Sequence, residues 1–438
     1  MTPDSRIKAS IELLDAILTT PRPADGVATA FFRARRYMGS GDRGDVSARV
    51  YAMLRHHARL GWWLEHAGAG RDDARARTIA WLMLGEEKSF EQVEALFTGG
   101  RYGPHELSAA ERALLRSLSR KPLEPEEMPE AVRLECPDWA EASLRAAFDG
   151  RFEAEMQALL ASAPVDIRVN EARGTREEVR AGLKNSGIHG SPTRWSPLGL
   201  RIEGRPPLAG HPLFKAGAIE IQDEGSQLIA LLADARPGMQ VVDFCAGAGG
   251  KALAMAARMG GKGRIVACDV SEGRLIRSKE RIRRAGIDNV EPRVLASERD
   301  KWVKRQKGKF DRVLIDAPCS GVGAWRRNPD ARWRQVDLAD LTALQGRILE
   351  SAARLAKPGG RVIYATCSLL PEENEKRVEA FLAADPSFRL IPVPQAWAAV
   401  SDGPCPTTEP MLRLTPATHQ TDGFFLAILE KATGDKAE

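Results

Sequence analysis

The sequence contains no run of about 18 uninterrupted apolar residues, the length that a membrane-spanning helix needs. Its opening, MTPDSRIKASIELLDAIL, carries acids within an amphipathic pattern instead of the apolar stretch of a signal peptide. A soluble, cytoplasmic protein is expected. Cysteine is scarce and scattered: Cys136, Cys245, Cys268, Cys319, Cys367 and Cys405 form no CxxC pair and have no histidine grouping beside them. That excludes the usual zinc spacings and predicts free thiols in a reducing compartment, with no metal bound. Internal repeats are missing, and the only low-complexity tendency is a polar tail after Leu429, which is expected to fray. Strong net charge is missing too. A formal +5 suits an ordinary enzyme as well as a nucleic-acid binder, so the distribution of charge matters more than its sum.

What is present is length. Hydrophobic cores stop growing near about 250 to 300 residues, so 438 residues imply two or three domains, and a 43% apolar content supports globular folding throughout. From Ser5 to about Gly150 apolar residues recur at helical spacing, as in Ile7, Ile11, Leu14 and Ile17, and again in Val46, Val50, Met53 and Leu54. Residues 1–150 read as a helical domain. Between Pro164 and Phe214, VDIRVN reads as a strand, TREEVRAGLKNSGI as a helix and WSPLGLRIEG as extended chain, so 151–216 form a small α/β module. From Gly217 onward short apolar strands alternate with helical stretches: QVVDFC, KALAMAARM, RIVACD, RLIRSKERIRRAG, FDRVLIDAP and GGRVIYATCS. This βαβ rhythm predicts a parallel, doubly wound sheet over 217–438.

The helical half holds a basic segment, FFRARRYMGSGDRGDVSARVYAMLRHHARLGWW, with Arg33, Arg35, Arg36, Arg43, Arg49, Arg55 and Arg59 among aromatics. Such a mixture suits phosphate binding and base stacking. A solvated arginine face has the same composition, and both readings stand at this point.

After the strand VVDF comes Cys245-Ala246-Gly247-Ala248-Gly249-Gly250-Lys251 and then a helix, placing a glycine-rich turn at the carboxyl end of the first strand. Doubly wound sheets hold ligands there. The turn fits neither G-x-G-x-x-G nor the phosphate loop G-x-x-x-x-G-K-[ST], which disfavours a nicotinamide or a nucleoside triphosphate. About 20 residues on, RIVACD ends in Asp269, placed to accept hydrogen bonds from ribose hydroxyls. An adenosine-containing cofactor fits, although a strand-end carboxylate can also serve simply to cap the next helix.

Two further strands end in thiols. FDRVLIDAP leads into Asp316-Ala317-Pro318-Cys319-Ser320, and GGRVIYATCS ends in Thr366-Cys367-Ser368, so both cysteines emerge at one edge of one sheet. The remaining four cysteines read as small buried hydrophobes. Through DFCAGAGGK, VACD, LIDAPCSGVGAWRRNPD and PGGRVIYATCSLLPEENE, the chain resembles the Sun-type RNA cytosine-5 methyltransferases. The likeness continues through IEIQDEGSQLIALL and THQTDGFFLAILE and covers everything after about residue 150, while the N-terminal helices resemble a NusB-type RNA-binding domain. This domain pairing is similar to the bacterial branch that acts on 16S ribosomal RNA.

The resemblance implies a multidomain fold: an all-α domain, a ferredoxin- or RRM-like α/β module, and a Rossmann-like class I methyltransferase domain. It implies S-adenosylmethionine as cofactor, held by Cys245, Ala246, Gly247, Ala248, Gly249, Gly250, Lys251, Asp269, Arg274 and Asp316. It implies that Cys367 attacks carbon 6 of cytosine, that Cys319 assists release of the adduct, and that Asp316 contacts the ring at nitrogen 3. DNA cytosine-5 methyltransferases instead place the nucleophile in a Pro-Cys motif, which would leave Cys367 unexplained. A flipped base needs positive surroundings, for which Arg326, Arg327, Arg332 and Arg334 are the candidates. Trp325 and Trp333 either stack on flanking bases or anchor their loop internally. A monomer is expected.

Two positions depart from the family pattern: Ala248 replaces a proline, and Ser297 stands where related sequences carry an acid near the adenine. Competing readings are the same chemistry on tRNA or another RNA, a noncatalytic RNA-binding assembly factor, a protein or small-molecule methyltransferase, and an NAD oxidoreductase. The paired thiols argue against the last three.

Overall fold

The structure is a computed structural model, and it describes residues 1–433. The chain forms two compact units, Met1–Ala161 together with Trp325–Gln335, and Ser162–Ala324 together with the chain from Val336.

The first unit is helical. Pro3–Leu18 opens with proline in its first turn and buries Ile7, Leu13, Leu14 and Ile17 along one stripe. Ser40–Arg55 does the same with Val46, Val50, Met53 and Leu54. Ala74–Leu84, capped by the Asp73 carboxylate on the N–H groups of Arg75 and Ala76, is buried on every side and forms the centre of the core. This unit extends to Ala161, because Phe152–Leu160 is one more of its helices.

The segment Trp325–Gln335 is built into this unit. Trp325 is fully buried, edge-on to Trp139 with centroids 6.0 Å apart, and Trp333 stacks on His57 at 4.8 Å. Arg332 lies with its guanidinium over Trp325 and donates to the carbonyls of Glu135 at 3.0 Å and Leu159 at 3.1 Å. Both tryptophans therefore anchor the loop internally. The expectation that Arg326 and Arg332 meet RNA is corrected, since both are buried, at 5% and 2% exposure. For Arg332 the physical reason is the guanidinium fork, which saturates carbonyls that the helix ends leave without partners. Arg334 is paired with Asp330 and donates to the carbonyl of Arg22 at 3.1 Å, and Arg327 is partly buried.

The second unit begins with a small antiparallel sheet. Its strands are β1 (Val165–Val169), β2 (Gly190–Pro192), β3 (Gly199–Ile202) and β4 (Ile219–Ile221), ordered β2-β3-β1-β4, with helix Arg176–Lys184 supplying Val179 and Leu183 to its core. The closing strand lies beyond the expected boundary at 216. Three residues of IEI are too short to show a period.

The large sheet holds β5 (Gln240–Asp243), β6 (Arg264–Asp269), β7 (Val290–Val294), β8 (Phe310–Asp316), β9 (Ala356–Thr366), β10 (Phe388–Ile391), β11 (Leu412–Leu414) and β12 (Phe424–Lys431). Its order is β10-β12-β9-β8-β5-β6-β7, with β11 alongside β12. The pairs from β7 to β9 are parallel, as the βαβ rhythm predicts, but β12 runs antiparallel to β9, β10 and β11. The sheet is therefore mixed, not wholly parallel. FFLAIL is an unbroken apolar run buried on both faces, and such a run carries no sign of its direction. Lys431 still pairs with Phe388, so the tail after Leu429 is ordered for its first residues, and 434–438 lie outside the described residues. The order reverses at β5, which has β6 on one side and β8 on the other, so the crevice at their carboxyl ends is the switch point where ligands bind.

No described helix is long and apolar enough to cross a membrane. Among the described residues no group of three or more His, Cys, Asp and Glu could hold a metal ion.

Candidate active site

The glycine-rich turn leaves β5 and enters helix Gly250–Arg258 through Gly249, whose φ of +80° is open to glycine but strained for other residues. A Cβ on Gly249 would stand 3.0 Å from that of Ser278, whereas one on Gly247 (φ +55°) would meet nothing within 4 Å. One side of the turn thus packs closely while the other is a bare cradle. Asp269 accepts the Gly247 N–H at 2.8 Å and the Ser271 N–H at 2.7 Å, one on each oxygen. Ser271, not Asp269, caps the following helix, and each carboxylate oxygen keeps a lone pair for a further donor. Ala248 is steadied by its carbonyl, which accepts from Arg281 at 3.0 Å, and Arg281 is paired with the buried Glu220 at 2.9 Å. No local pattern in the sequence marks Arg281 for this task.

Arg274 is exposed on the first turn of the helix after Asp269. The Ser297 hydroxyl accepts from the Arg299 N–H at 3.1 Å, and the nearby acid, Asp300, is committed to the Ala296 and Trp302 N–H groups. Replacing Asp269 by alanine is expected to weaken binding of an adenosine cofactor by about 10- to 100-fold, the worth of hydrogen bonds to a charged group. Calorimetry on the full chain checks this, and an unchanged affinity would remove Asp269 from the cofactor site.

Between the turn and β8 lies a charged core. Lys251 donates to Asp316 at 2.7 Å. Burial by itself would push the ammonium down, but Asp316 and the neighbouring Asp243 outweigh it and hold it above its ordinary range. Asp243 is 1% exposed, and its carboxylate makes no hydrogen bond of full geometry, having only the Ala252 N–H turned toward it. Burial, reinforced by Asp316, pushes it up to about 7. Nothing in the local sequence sets Asp243 apart from any other acid on a strand.

The two thiols meet. Cys319 Sγ lies 3.2 Å from Cys367 Sγ at the carboxyl ends of β8 and β9. The hydrogen bond to Cys367, then burial, then the charges of Cys367, Glu373 and Asp316 hold the Cys319 thiol well above its ordinary range. The Cys367 carbonyl accepts from Gly323 at 2.9 Å. Asn374, fully buried, accepts from the Thr366 hydroxyl at 2.6 Å and donates to the Ser368 carbonyl at 3.0 Å, so it grips both neighbours of Cys367. Cys136 and Cys268 behave as buried hydrophobes; burial pushes the first up to about 12 and the second higher.

The arrangement offers a nucleophilic sulfur with a second sulfur beside it, a lysine–carboxylate pair and an adjacent nucleoside cradle. Glycines left open on one face and a strand-end carboxylate with spare acceptor capacity fit S-adenosylmethionine.

Residues 230–430 match the family model described as 16S rRNA methyltransferase RsmB/F, and residues 136–209 match that of the ferredoxin-like domain of RsmF/B-like methyltransferases. The probable ribosomal RNA small subunit methyltransferase B of Synechocystis sp. is 31% identical over 416 residues, 89% of this chain and 92% of that protein. Ribosomal RNA small subunit methyltransferase B of Citrobacter koseri is 32% identical over 297 residues, 67% of this chain and 66% of that protein. The solved structure of a methyltransferase homolog from Pyrococcus horikoshii is 28% identical with a TM-score of 0.60, covering 70% of this chain and 99% of that one. With the glycine turn, the Asp269 strand end and the paired thiols in one crevice, the chain belongs to the 16S rRNA methyltransferase RsmB/F family.

Proposed function

We propose that the protein methylates carbon 5 of a cytosine in 16S ribosomal RNA, with Cys367 as covalent nucleophile and Cys319 as the group that assists release. The observation that carries this reading is the 3.2 Å approach of the two sulfurs at adjacent strand ends. Methylation at an oxygen or an amine needs no thiol, whereas carbon 5 of cytosine is a poor nucleophile until carbon 6 is attacked.

The Cys367 sulfur forms a bond to carbon 6, and the ring's displaced electrons collect toward nitrogen 3. The proton shared by Lys251 and Asp316 across 2.7 Å meets that charge, with Asp316 presenting it to nitrogen 3. When bound, S-adenosylmethionine supplies the methyl group as an electrophile, held by Asp269, the 245–251 turn and Arg274. Cys319, as its thiolate, then takes the proton from carbon 5, and the surroundings that hold its thiol up make that thiolate the stronger base. Those electrons rebuild the ring double bond, the S–C6 bond breaks, Cys367 leaves as thiolate, and nitrogen 3 returns its proton to the Asp316–Lys251 pair.

RNA as substrate draws support from the helical unit. Arg33, Arg36 and Arg43 line a cleft of about 500 Å³ with Thr29 and Phe32. None of the three has an acidic partner among the described residues, and Tyr37, next along the chain from Arg36, is 72% exposed. The other arginines of this basic segment serve internally: Arg35 pairs with Glu12, Arg49 with Glu86, Arg59 with Glu124, and Arg55 donates to the Leu160 carbonyl.

The reading is tested by incubating the protein with unmodified 16S ribosomal RNA and labelled S-adenosylmethionine and digesting the RNA to nucleosides. Label is expected in 5-methylcytidine; label in another nucleoside, or only in tRNA, would overturn the assignment. Replacing Arg33, Arg36 and Arg43 together by alanine is expected to weaken RNA binding and to lower its salt dependence, by about 0.7 to 0.9 in log–log slope for each phosphate that these arginines neutralise. An unchanged slope would take the cleft out of the RNA interface.

A further inference from the structure

Glu373, in the stretch LLPEENE, is fully buried, yet no step of the transfer reaction uses it. Its carboxylate gathers four donors. One oxygen accepts the Ser320 N–H at 2.8 Å and the Gln345 amide at 2.9 Å; the other accepts the Ser320 hydroxyl at 2.5 Å and the Ser368 hydroxyl. Ser320 directly follows Cys319, and Ser368 directly follows Cys367. Gln345 also donates to the Pro318 carbonyl at 2.9 Å, so the residues on both sides of Cys319 are held from one cluster.

We propose that Glu373 is a positioning residue for the transfer reaction: by holding the serine after each cysteine on one carboxylate, it sets Cys319 and Cys367 in register and thereby decides which sulfur attacks. This rests on the two-cysteine reading of the proposed function. Two turns leaving different strands have no covalent reason to keep their sulfurs within 3.2 Å; beside the Gly323 N–H on the Cys367 carbonyl, Glu373 reaches from the Cys367 turn to both the N–H and the hydroxyl of Ser320, and holds Ser368 with the same carboxylate. Its charge also acts on one sulfur. Around Cys319 stand Cys367 from the opposite turn, Asp316 from its own strand, Tyr364 from β9 and Glu373, while Lys251 faces Cys367. Glu373 is among the groups that hold the Cys319 thiol up, which disfavours Cys319 as the attacking sulfur.

The test uses the full chain and its Glu373→Gln and Glu373→Asp variants. Alkylation of each cysteine by iodoacetamide is followed by mass spectrometry across a pH series, beside steady-state methylation and calorimetry with S-adenosylmethionine. Glu373→Gln is expected to lower kcat by about a hundredfold, the cost of misplacing reacting groups by about 1 Å. KM for RNA and cofactor affinity stay within about twofold, because neither contact involves Glu373. The pH midpoint for Cys319 alkylation is expected to fall by about one pH unit on loss of the nearby charge and to be kept by Glu373→Asp. A kcat within about threefold of wild type with an unmoved midpoint overturns the proposal. So does a loss of cofactor binding and Tm in step with kcat, which marks a merely structural residue. Should Glu373→Gln fail to fold, Ser368→Ala, which removes a single donor, is expected to lower kcat by about tenfold, and an unchanged kcat there overturns the proposal equally. Absence of 5-methylcytidine with wild type, together with a shifted Cys319 midpoint in Glu373→Gln, would sink the functional reading while leaving the control of Glu373 over the thiols in place.

Discussion

Cys367→Ala is expected to abolish methyl incorporation and the denaturant-resistant protein–RNA adduct together, whereas Cys319→Ala is expected to accumulate that adduct. The first loss should reach about 10⁴-fold or more, as for other covalent nucleophiles, since no other group here can raise electron density at carbon 5. The second follows from geometry: without a sulfur 3.2 Å from the attacking one, the bond to carbon 6 forms but the proton on carbon 5 is not removed. A single gel, scored for label and for protein retained on RNA, reads both. If Cys319→Ala prevents the adduct and Cys367→Ala traps it, the roles are exchanged. Both variants should keep cofactor affinity, because Asp269 and the glycine turn do not depend on either thiol.

Gly323→Ala is expected to cost about 3 kcal/mol of stability, which for a unit of this size is roughly 6 to 12 °C in Tm. An added Cβ would stand 2.1 Å from the Gly423 carbonyl oxygen and 2.6 Å from its carbon, and these are backbone atoms that cannot swing away. From the other side, a Cβ on Gly423 would lie 2.6 Å from the Gly323 Cα. The two backbones are tied as well as close, with Gly423 N–H on the Gly323 carbonyl at 2.8 Å and Gly323 N–H on the Cys367 carbonyl at 2.9 Å. Any shift that relieves the clash therefore moves the nucleophile, so kcat should fall along with Tm. Gly321→Ala is the control. Its φ of +73° costs about 1 kcal/mol for an alanine, but its Cβ would meet nothing within 4 Å, so catalysis should be largely kept. Equal effects of the two substitutions in a melt and a rate assay would refute the crowding argument.

Much of the site is local and therefore legible. A strand of apolar residues followed at once by Cys245-Ala-Gly-Ala-Gly-Gly-Lys251 announces its turn, because only glycine enters a helix through a positive φ at such close approach to Ser278. The thiols were readable for the same reason. Each lies within three residues of a strand end, and the βαβ order brings those ends to one edge. Spacing alone does not give their 3.2 Å approach, which depends on Glu373 and Asn374 and on Gln345 in a different helix.

Other features were written in no local pattern. FFLAILE is a strand in either direction, and only the return of the chain from β10 makes it antiparallel between β10 and β9. Arg332 has the composition of an RNA contact, yet it is an interior residue because the carbonyl of Glu135, 197 positions earlier, comes within 3.0 Å. The sequence by itself determined the glycine turn, the strand-end acid and the two cysteines, since backbone conformation and strand ends depend on near neighbours. Tertiary structure decided which arginines are buried, which acid holds the thiols and which way β12 runs, because burial and charge pairing depend on groups that only folding brings within a few ångströms.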